Sequence, residues 1–368
     1  AWSYFDRLTD PGTGLVPATA WLEDGKILSY DFATMWDTAS VILATISAHS
    51  LELIDKVEFQ SRLTLLLSSL ADQPFAGLNL PAGLSSTTGG SPGDKRYDAS
   101  DTSRLLAALK ILATYAPADF PIEQIVSRWE LGKTLRDGVP QTASGVRFQS
   151  AYRSNYAGYL GRGFEQWGFE VASPYSISTD LSGFDARIAT LHTAARLGPI
   201  GTEPHLLDRV EFGFSEPAFA MSEALFAAQF AEYQKTGQLV CVSEAPINRE
   251  PWFIYQGFQL GDVEAPWTVE TLDPSPRFTT RGFRRAVSMV SSKAAYLWHF
   301  VRPGEYTSQL VDHVRQNASI PSLGFAPGVP SAPHVTRPSY SDVNTNGVIL
   351  QAIAFGLNGA RPAIEWRA

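Results

Sequence analysis

Hydrophobic residues fall in several segments that are apolar on nearly every helical side, and each segment begins with a polar turn. Residues 34–49 read TMWDTASVILATISAH, residues 98–112 read DASDTSRLLAALKIL, and residues 343–357 read VNTNGVILQAIAFGL. A helix that is apolar almost all round is buried, so its polar first turn must face the surface or a cavity. These segments predict inner helices that begin around a shared pocket. Further helices are predicted at residues 155–167, 202–212 and 288–300.

Amphipathic or alanine-rich segments lie between these inner ones. They predict outer helices at residues 56–70, 122–136, 218–235 and 306–316. Residues 182–196 fit either a helix or a strand. About six inner helices alternating with outer helices favour a mainly α fold, an (α/α)6 toroid whose cleft lies where the inner helices begin. No linker divides the chain cleanly, so we expect one domain over residues 1–368.

One stretch departs from the helical pattern. Residues 237–285 contain QLVCVSEA and PWFIYQGFQL, which are rich in Val, Ile and aromatic residues and typical of strands. They predict an inserted hairpin or small sheet with long loops over the cleft. Two Gly-, Ser- and Pro-rich loops are expected at residues 76–95 and 321–340, and long loops inside a compact domain are often functional.

The composition excludes several classes of function. The 368 residues are 44% hydrophobic and 12% aromatic, with a formal net charge of −8. This charge argues against a nucleic-acid partner, which would require a basic face. No apolar run is long enough for a transmembrane helix, and the single Cys241 excludes internal disulfides and a cysteine-based zinc site. Nucleotide-binding and metalloprotease motifs are absent, so no cofactor and no metal is expected.

One motif resembles the start of a calcium-binding loop but lacks its last ligand. Asp342, Asn344, Asn346 and Gly347 match its start, but the twelfth position is Ile353 instead of the required acid.

Acidic residues at the starts of predicted helices are the main catalytic candidates. Asp37 and Asp101 lie in matching first turns, where the ordinary role of an acid is to stabilise the helix terminus. Glu203 also begins a helix, and Glu244 follows a predicted strand. Glycoside hydrolysis needs one protonated carboxyl and one carboxylate, so these four residues are the catalytic candidates. The sequence does not choose the pair, because the criterion is spatial.

Further residues are candidates for binding substrate. Aromatic side chains can act as platforms for sugars, and charged side chains on inner helices require partners of opposite charge. The substrate-binding candidates on these grounds are Trp36, Trp252, Tyr255 and Trp267, the acids Glu165 and Glu211, and the cations Arg104 and Lys293.

Several motifs, in order along the chain, resemble a bacterial family catalogued as a domain of unknown function. They are the TGLV, TMWD and DTSRLL segments at residues 13–16, 34–37 and 101–106, followed by GFEQ, TEP, EFG, VSE, SKAA and NTN at residues 163–166, 202–204, 211–213, 242–244, 292–295 and 344–346. The last of these adds Asn344 and Asn346 to the substrate-binding candidates. Singly, none of these motifs is specific, but together they span almost the whole chain.

That family is similar to glucoamylase-like (α/α)6 domains, which include endo-β-1,2-glucanases and the processing domain of cyclic β-1,2-glucan synthases. The resemblance implies a carbohydrate-active protein of the bacterial periplasm or exterior, although no signal peptide is visible. The chain departs from the family's usual motifs at Thr102 and Ser103, at Phe164, and at Ala245, where an acid usually follows Glu244.

The leading hypothesis is a glycoside hydrolase or transglycosylase acting on a β-glucan, with β-1,2-glucan as the first choice. Glu203 or Glu244 would be the general acid, and Asp37 or Asp101 the base or a substrate-positioning group. A second hypothesis is a polysaccharide-binding or assembly protein without turnover, which Ala245 would favour. A third is a polysaccharide lyase that uses Tyr156, Tyr159 and Arg162.

Overall fold

A computed structural model describes residues 1–89, 91–93, 96–144, 147–175, 184–260, 266–273, 275–332 and 338–368. The fold is mainly helical, as predicted. The α-helices of these residues are α1 Trp2–Leu8, α2 Met35–Ser50, α3 Lys56–Ser68, α4 Ala99–Tyr115, α5 Ile122–Ser127, α6 Ala157–Glu165, α7 Phe184–Leu197, α8 Glu203–Phe212, α9 Glu216–Thr236, α10 Arg281–Val287, α11 Ser292–Val301, α12 Glu305–Asn317 and α13 Val343–Leu357. Short 3-10 helices lie at Leu131–Thr134, Pro276–Phe278 and Ala363–Glu365.

Six helices pack side by side in cyclic order. Each contacts the next in the series α2, α4, α6, α8, α11 and α13, and α13 contacts α2 again. Their apolar side chains contribute much of the main hydrophobic core. In α2 and α13 most positions are buried, which is the environment that their apolar sequences predict.

The other helices pack outside this ring. α3, α5, α9 and α12 lie against the ring helices α2, α4, α8 and α11 that precede them in the chain. α7 packs on α9, and α1 packs on α13 and α2. The inner and outer helices therefore alternate along most of the chain.

Polar caps fix where the ring helices begin. The Thr34 hydroxyl accepts a hydrogen bond from the Asp37 N–H of α2, and the Asp37 carboxylate accepts one from the Thr34 N–H in return. Asp98 caps α4, and Asp342 caps α13. Such caps satisfy N–H groups that have no partner inside the helix. They also place acidic side chains at the same end of several ring helices.

The strands are short and antiparallel, and they connect the helices. They are β1 Thr19–Glu23, β2 Lys26–Tyr30, β3 Phe32–Thr34, β4 Asp72–Phe75, β5 Leu78–Pro81, β6 Leu84–Ser86, β7 Arg96–Tyr97, β8 Leu135–Arg136, β9 Val139–Ser144, β10 Arg147–Ser150, β11 Ala245–Pro246, β12 Phe253–Phe258, β13 Trp267–Glu270, β14 Met289–Ser291, β15 Ser319–Ile320, β16 Gly324–Phe325, β17 Gly328–Pro330 and β18 Tyr340–Asp342.

Two three-stranded sheets lie near the starts of the ring helices. β1 pairs with β2 and with β18, which leads directly into α13. The order β11–β12–β13 forms a second sheet inside residues 237–285, where strands were predicted. This sheet begins at Ala245, later than the sequence suggested, because residues 238–244 are not paired as a strand.

Two other element predictions differ from the structure. Residues 122–136 form α5, a 3-10 helix and β8 instead of one helix, because Glu130 bonds through its backbone and side chain to Asn79 of β5. Residues 288–300 divide into strand β14 and helix α11. Of the ambiguous segment 182–196, the part from residue 184 onward is helical in α7, and residues 182 and 183 lie outside the described residues.

In the part of the chain that the structure describes, no helix combines the length and apolar character needed to cross a membrane.

Candidate active site

A cavity of about 370 Å³ lies where the ring helices begin. Residues from the starts of α2, α4, α6, α11 and α13 and from the β11–β12 hairpin line it. Its charged lining residues are Asp37, Asp98, Asp101, Glu244, Asp342 and Lys293, and its aromatic lining residues are Trp36, Tyr156, Phe253 and Tyr255. Sequence segments far apart in the chain therefore supply one acidic, aromatic pocket.

A second cavity of about 370 Å³ adjoins the first. Asp98, Asp101, Tyr156, Glu244 and Tyr255 line both cavities. These shared side chains border both spaces.

Lys293 connects two glutamates. Its ammonium group donates hydrogen bonds to the Glu203 carboxylate and to Glu244 Oε1, the latter at 2.5 Å. Burial lowers the pKa of Lys293, but the adjacent carboxylates outweigh burial and raise it above its ordinary value. Lys293 is therefore a permanent cation in the cavity wall, and Glu244 is its partner on the cavity side.

Glu203, a candidate general acid from the sequence, is fully buried and is not among the cavity-lining residues. Besides Lys293, it accepts hydrogen bonds from Tyr156 Oη at 3.1 Å and Asn344 Nδ2 at 2.8 Å. Its donors line the cavity, and Glu203 lies behind them. Glu203 therefore has no surface exposed to the cavity.

Asp101 lies in the first turn of α4, next to the cap Asp98. Burial raises the pKa of Asp101 well above its usual value, and the negative charges of Asp98 and Asp37 raise it further. Burial also raises the pKa of Asp37, although hydrogen bonds from Thr34 oppose this change. Asp37 and Asp101, which both line the first cavity, thus favour the protonated form more than a free carboxyl does.

Asp342 also lines the cavity, although in the sequence it belongs only to the incomplete calcium-loop motif. Its Oδ1 accepts the Thr345 N–H at 2.7 Å, and its buried Oδ2 has no hydrogen-bond partner among the described residues. Burial raises the pKa of Asp342 to about 6, against the opposing effect of Lys293. The signal that could have identified Asp342 is its position before an inner helix, which matches that of Asp98.

Trp36, one of the aromatic residues that line the cavity, is held in place by contacts with its neighbours. Trp36 packs edge-on against Tyr156, with ring centroids 5.3 Å apart. The Arg104 guanidinium lies 4.9 Å from the centre of the Trp36 ring. Trp36 and Tyr255 both line the cavity, as a sugar platform must, whereas Arg104 supports Trp36 from the ring interior.

Arg104 and Glu211 form a deeper ion pair. Arg104 Nη1 lies 2.9 Å from Glu211 Oε1, and both side chains are fully buried. Tyr159 Oη and Gln351 Nε2 also donate to Glu211. Neither Arg104 nor Glu211 lines the cavity, so the structure places them in the support of the site instead of in contact with a ligand.

The remaining predicted site residues lie outside the cavity lining, with the exception of Asn344. Glu165 is exposed at the end of α6 beside Arg162. Trp252 is 63% exposed in the turn between β11 and β12, and Trp267 packs on Phe258 with ring centroids 5.6 Å apart.

Asn344 lines the cavity and holds Glu203, but its neighbour Asn346 does not face the cavity. Asn346 is buried two residues further along α13 and bonds to the backbone of Phe325 and Asp342 and to the hydroxyl of Ser341. Two positions of one motif thus have different roles, because residues two apart on a helix point in different directions.

The three residues considered for a lyase are not brought together. Tyr156 lines the cavity, whereas Tyr159 contacts Arg104 and Glu211 in the interior. Arg162 pairs with the buried Asp208 at 3.0 Å on another side of α6. Within the described residues, no group of three or more His, Cys, Asp or Glu side chains has an arrangement that could hold a metal ion.

Comparison with known proteins places this geometry in a family. Residues 1–359 match the family described as Protein of unknown function (DUF3131), and the chain belongs to it. No curated protein matches the chain.

Solved structures share the fold at low sequence identity. An endo-β-1,2-glucanase from Chitinophaga pinensis, in complex with sophorotriose and glucose, is 11% identical, with a TM-score of 0.59 over 99% of this chain and 93% of that one. A glucoamylase-like protein from Bacteroides caccae is 13% identical, with a TM-score of 0.57 over 98% and 94%. A D-mannose isomerase is 12% identical, with a TM-score of 0.51 over 98% and 95%. These similarities establish the fold, and the chemistry must be argued from the site.

Proposed function

We propose that this protein is a glycoside hydrolase whose (α/α)6 toroid, formed by the cyclic series of helices, cleaves a β-glucan in the acidic cavity. The observation that carries the proposal is that Asp101 and Glu244 both line the two adjoining cavities. Asp101 has a raised pKa, and Glu244 is ion-paired with Lys293. Two carboxyl groups in contrasting environments are what acid–base hydrolysis requires.

In the proposed reaction, the protonated Asp101 carboxyl donates its proton to the glycosidic oxygen as the bond from that oxygen to the anomeric carbon breaks. The Glu244 carboxylate accepts a proton from a water molecule whose oxygen forms the new bond to the anomeric carbon. Solvent then returns a proton to Asp101 and removes one from Glu244. These roles revise the sequence hypothesis, in which Glu203 or Glu244 was the acid and Asp101 or Asp37 the base.

The remaining lining residues fit sugar binding. Trp36 and Tyr255 offer aromatic faces, and the free oxygen of Asp342 offers an acceptor for a sugar hydroxyl. Two adjoining cavities that share lining residues suit an oligosaccharide or polysaccharide better than a single sugar. β-1,2-Glucan is the first substrate to test, because the Chitinophaga pinensis relative of this fold is an endo-β-1,2-glucanase. A polymer of this kind also supports a periplasmic or extracellular location, which cell fractionation would check.

The experiment assays the wild-type protein on a panel of β-1,2-, β-1,3-, β-1,4-, β-1,6- and α-1,4-glucans by product chromatography. We expect release of gluco-oligosaccharides from one β-linked member. Asp101→Asn should lower that rate by about 10²- to 10⁴-fold, the usual contribution of a general acid. It should do so less on an aryl glycoside, whose leaving group departs without protonation.

The outcome that contradicts the proposal is a wild-type protein that releases no sugar from any glucan, or an Asp101→Asn variant with full activity. Calorimetric binding of a glucan without product would instead support the non-catalytic binding protein. An unsaturated product absorbing in the ultraviolet would support the lyase.

A further inference from the structure

Glu203 and Glu216 begin consecutive helices with the same Glu–Pro sequence but have opposite surroundings. Glu203 is the first residue of α8 and is completely buried, whereas Glu216 is the first residue of α9 and is exposed. An acid at a helix start is favoured by the helix dipole in both cases. The dipole alone therefore does not explain why a carboxylate is buried at the start of α8, since burial of a charge requires specific partners.

The partners of Glu203 come from three different ring helices. Lys293 of α11 and Tyr156 at the start of α6 donate to Oε2, and Asn344 of α13 donates to Oε1. Asn344 is oriented in turn by the Ser40 hydroxyl of α2, which donates to its Oδ1 at 2.9 Å. One buried carboxylate thus fixes donors that reach it from separate parts of the chain.

Each of these three donors also lines the cavity, whereas Glu203 does not. A general acid must present its proton within hydrogen-bond distance of the leaving oxygen. The Glu203 carboxyl has no exposed surface, and its three donors line the cavity in its place, so it does not make that contact in this structure. Its negative charge can nevertheless hold the three cavity residues in fixed positions.

We propose that Glu203 is a positioning residue that orients Lys293, Tyr156 and Asn344 in the cavity wall and, through Lys293, fixes the Glu244 carboxylate. This role rests on the proposed hydrolase function. It separates Glu203 from Asp101, since only Asp101 would transfer a proton to the substrate.

The two roles predict different kinetics for Glu203→Gln. Loss of a general acid is severe for poor leaving groups and mild for good ones, whereas loss of positioning affects both. We expect Glu203→Gln to lower kcat/KM by about 10- to 100-fold on both the natural glucan and an activated aryl glycoside. Both limbs of the pH–rate profile should remain. Asp101→Asn should instead show the leaving-group dependence, and Glu216→Gln should match the wild type.

A second measurement does not depend on activity. In a crystal structure of Glu203→Gln, we expect the Lys293 ammonium to leave position 203 and move toward Glu244, and the Tyr156 hydroxyl to change partner. Glu203→Asp keeps the charge and should restore part of the lost rate. If the wild-type protein cleaves no glucan, the proposed function fails while the structural comparison still decides whether Glu203 positions these side chains.

The proposal is overturned if Glu203→Gln is slow only on poor leaving groups and loses the basic limb of its pH profile, because that result identifies a general acid. It is also overturned if the variant keeps wild-type kinetics, or if Lys293, Tyr156 and Asn344 keep their positions in its crystal structure.

Discussion

The charged groups inside the helix ring form two layers that differ in their contacts with protein. In the deep layer, Arg104 and Glu211 pair with each other and with Tyr159 and Gln351, and none of the four lines the main cavity. In the mouth layer, Lys293 holds Glu203 on one side and Glu244 on the cavity side. The same helix, α8, supplies one carboxylate to each layer.

This difference distinguishes charged groups that stabilise the fold from charged groups that can contact a ligand. A charge whose partners are all protein groups contributes to the structure, and removing one partner leaves the other buried and uncompensated. A group with an unused oxygen, such as Asp342 at the mouth, retains capacity for a ligand. Substitutions in the deep layer should therefore change stability, and substitutions in the mouth layer should change activity.

The largest effect is expected for Glu244→Gln in the mouth layer. The amide cannot accept a proton from water, so kcat on the cleaved glucan should fall by about 10²- to 10⁴-fold. Its free energy of unfolding should change much less, because Lys293 keeps Glu203 as a partner. Activity assays and urea unfolding of the same preparation test both parts. A variant that loses activity only because it unfolds would remove the distinction between the layers.

Arg104→Met should give the largest loss of stability. It leaves Glu211 buried without its cation, and breaking a buried pair in this way costs about 3–5 kcal/mol. Guanidinium unfolding at neutral pH measures this loss. The double variant Arg104→Met/Glu211→Gln is the matched control, and it should recover part of the stability because no buried charge remains. A single-variant loss below about 1 kcal/mol would mean that the deep layer does not support the ring.

The sequence predicted the inner and outer helices but not which charged side chains on them form ion pairs. Apolar segments with polar starts predicted the buried helices and placed Asp37 and Asp101 in their first turns. Burial pattern and helix start are both read from neighbouring residues in the sequence. Lys293 contacts residues 90 and 49 positions away in the chain, and no local pattern specifies such partners. Trp267 was predicted as a sugar platform, but its ring packs on Phe258. The sequence alone does not show whether an aromatic ring is exposed or packed on a neighbour.

The acids that the sequence singled out differ in their burial. Glu203 and Glu165 both looked like site residues within motifs, yet Glu203 lies behind its donors and Glu165 is in solvent. Asp342 appeared only in a failed calcium motif, although its position before an inner helix brings it into the cavity. The position of a carboxylate relative to a cavity depends on how the helices pack in the ring, which requires the tertiary structure.

Asp342→Asn should remove a pH-dependent loss of folding stability that Asp342 causes in the mouth layer. The pKa of Asp342 is raised to about 6 in the fold from an ordinary value of 3.8, so the native state binds a proton more tightly than the unfolded chain does. This group therefore destabilises the fold increasingly as pH rises from about 4 to 6, by about 3 kcal/mol in total. Asparagine is also a good helix cap, so it keeps the bond to Thr345.

Unfolding of both proteins at pH 4 and pH 8 measures the effect. Asp342→Asn should be more stable than the wild type at pH 8, and the two should converge near pH 4. An equal difference at both pH values would mean that titration of Asp342 is not its source.

The smallest effect is expected for Glu223→Gln, which breaks the contact between Glu223 and Arg302 on the outer surface. Both side chains are 44% exposed, so solvent already screens their attraction, and such pairs contribute no more than about 1 kcal/mol. Arg302 also keeps its contact with the Phe226 ring at 4.2 Å. The loss measured by urea unfolding should shrink further in 1 M salt, because salt screens exposed charges more than buried ones. A loss as large as that of Arg104→Met would show that burial does not govern the strength of ion pairs in this protein.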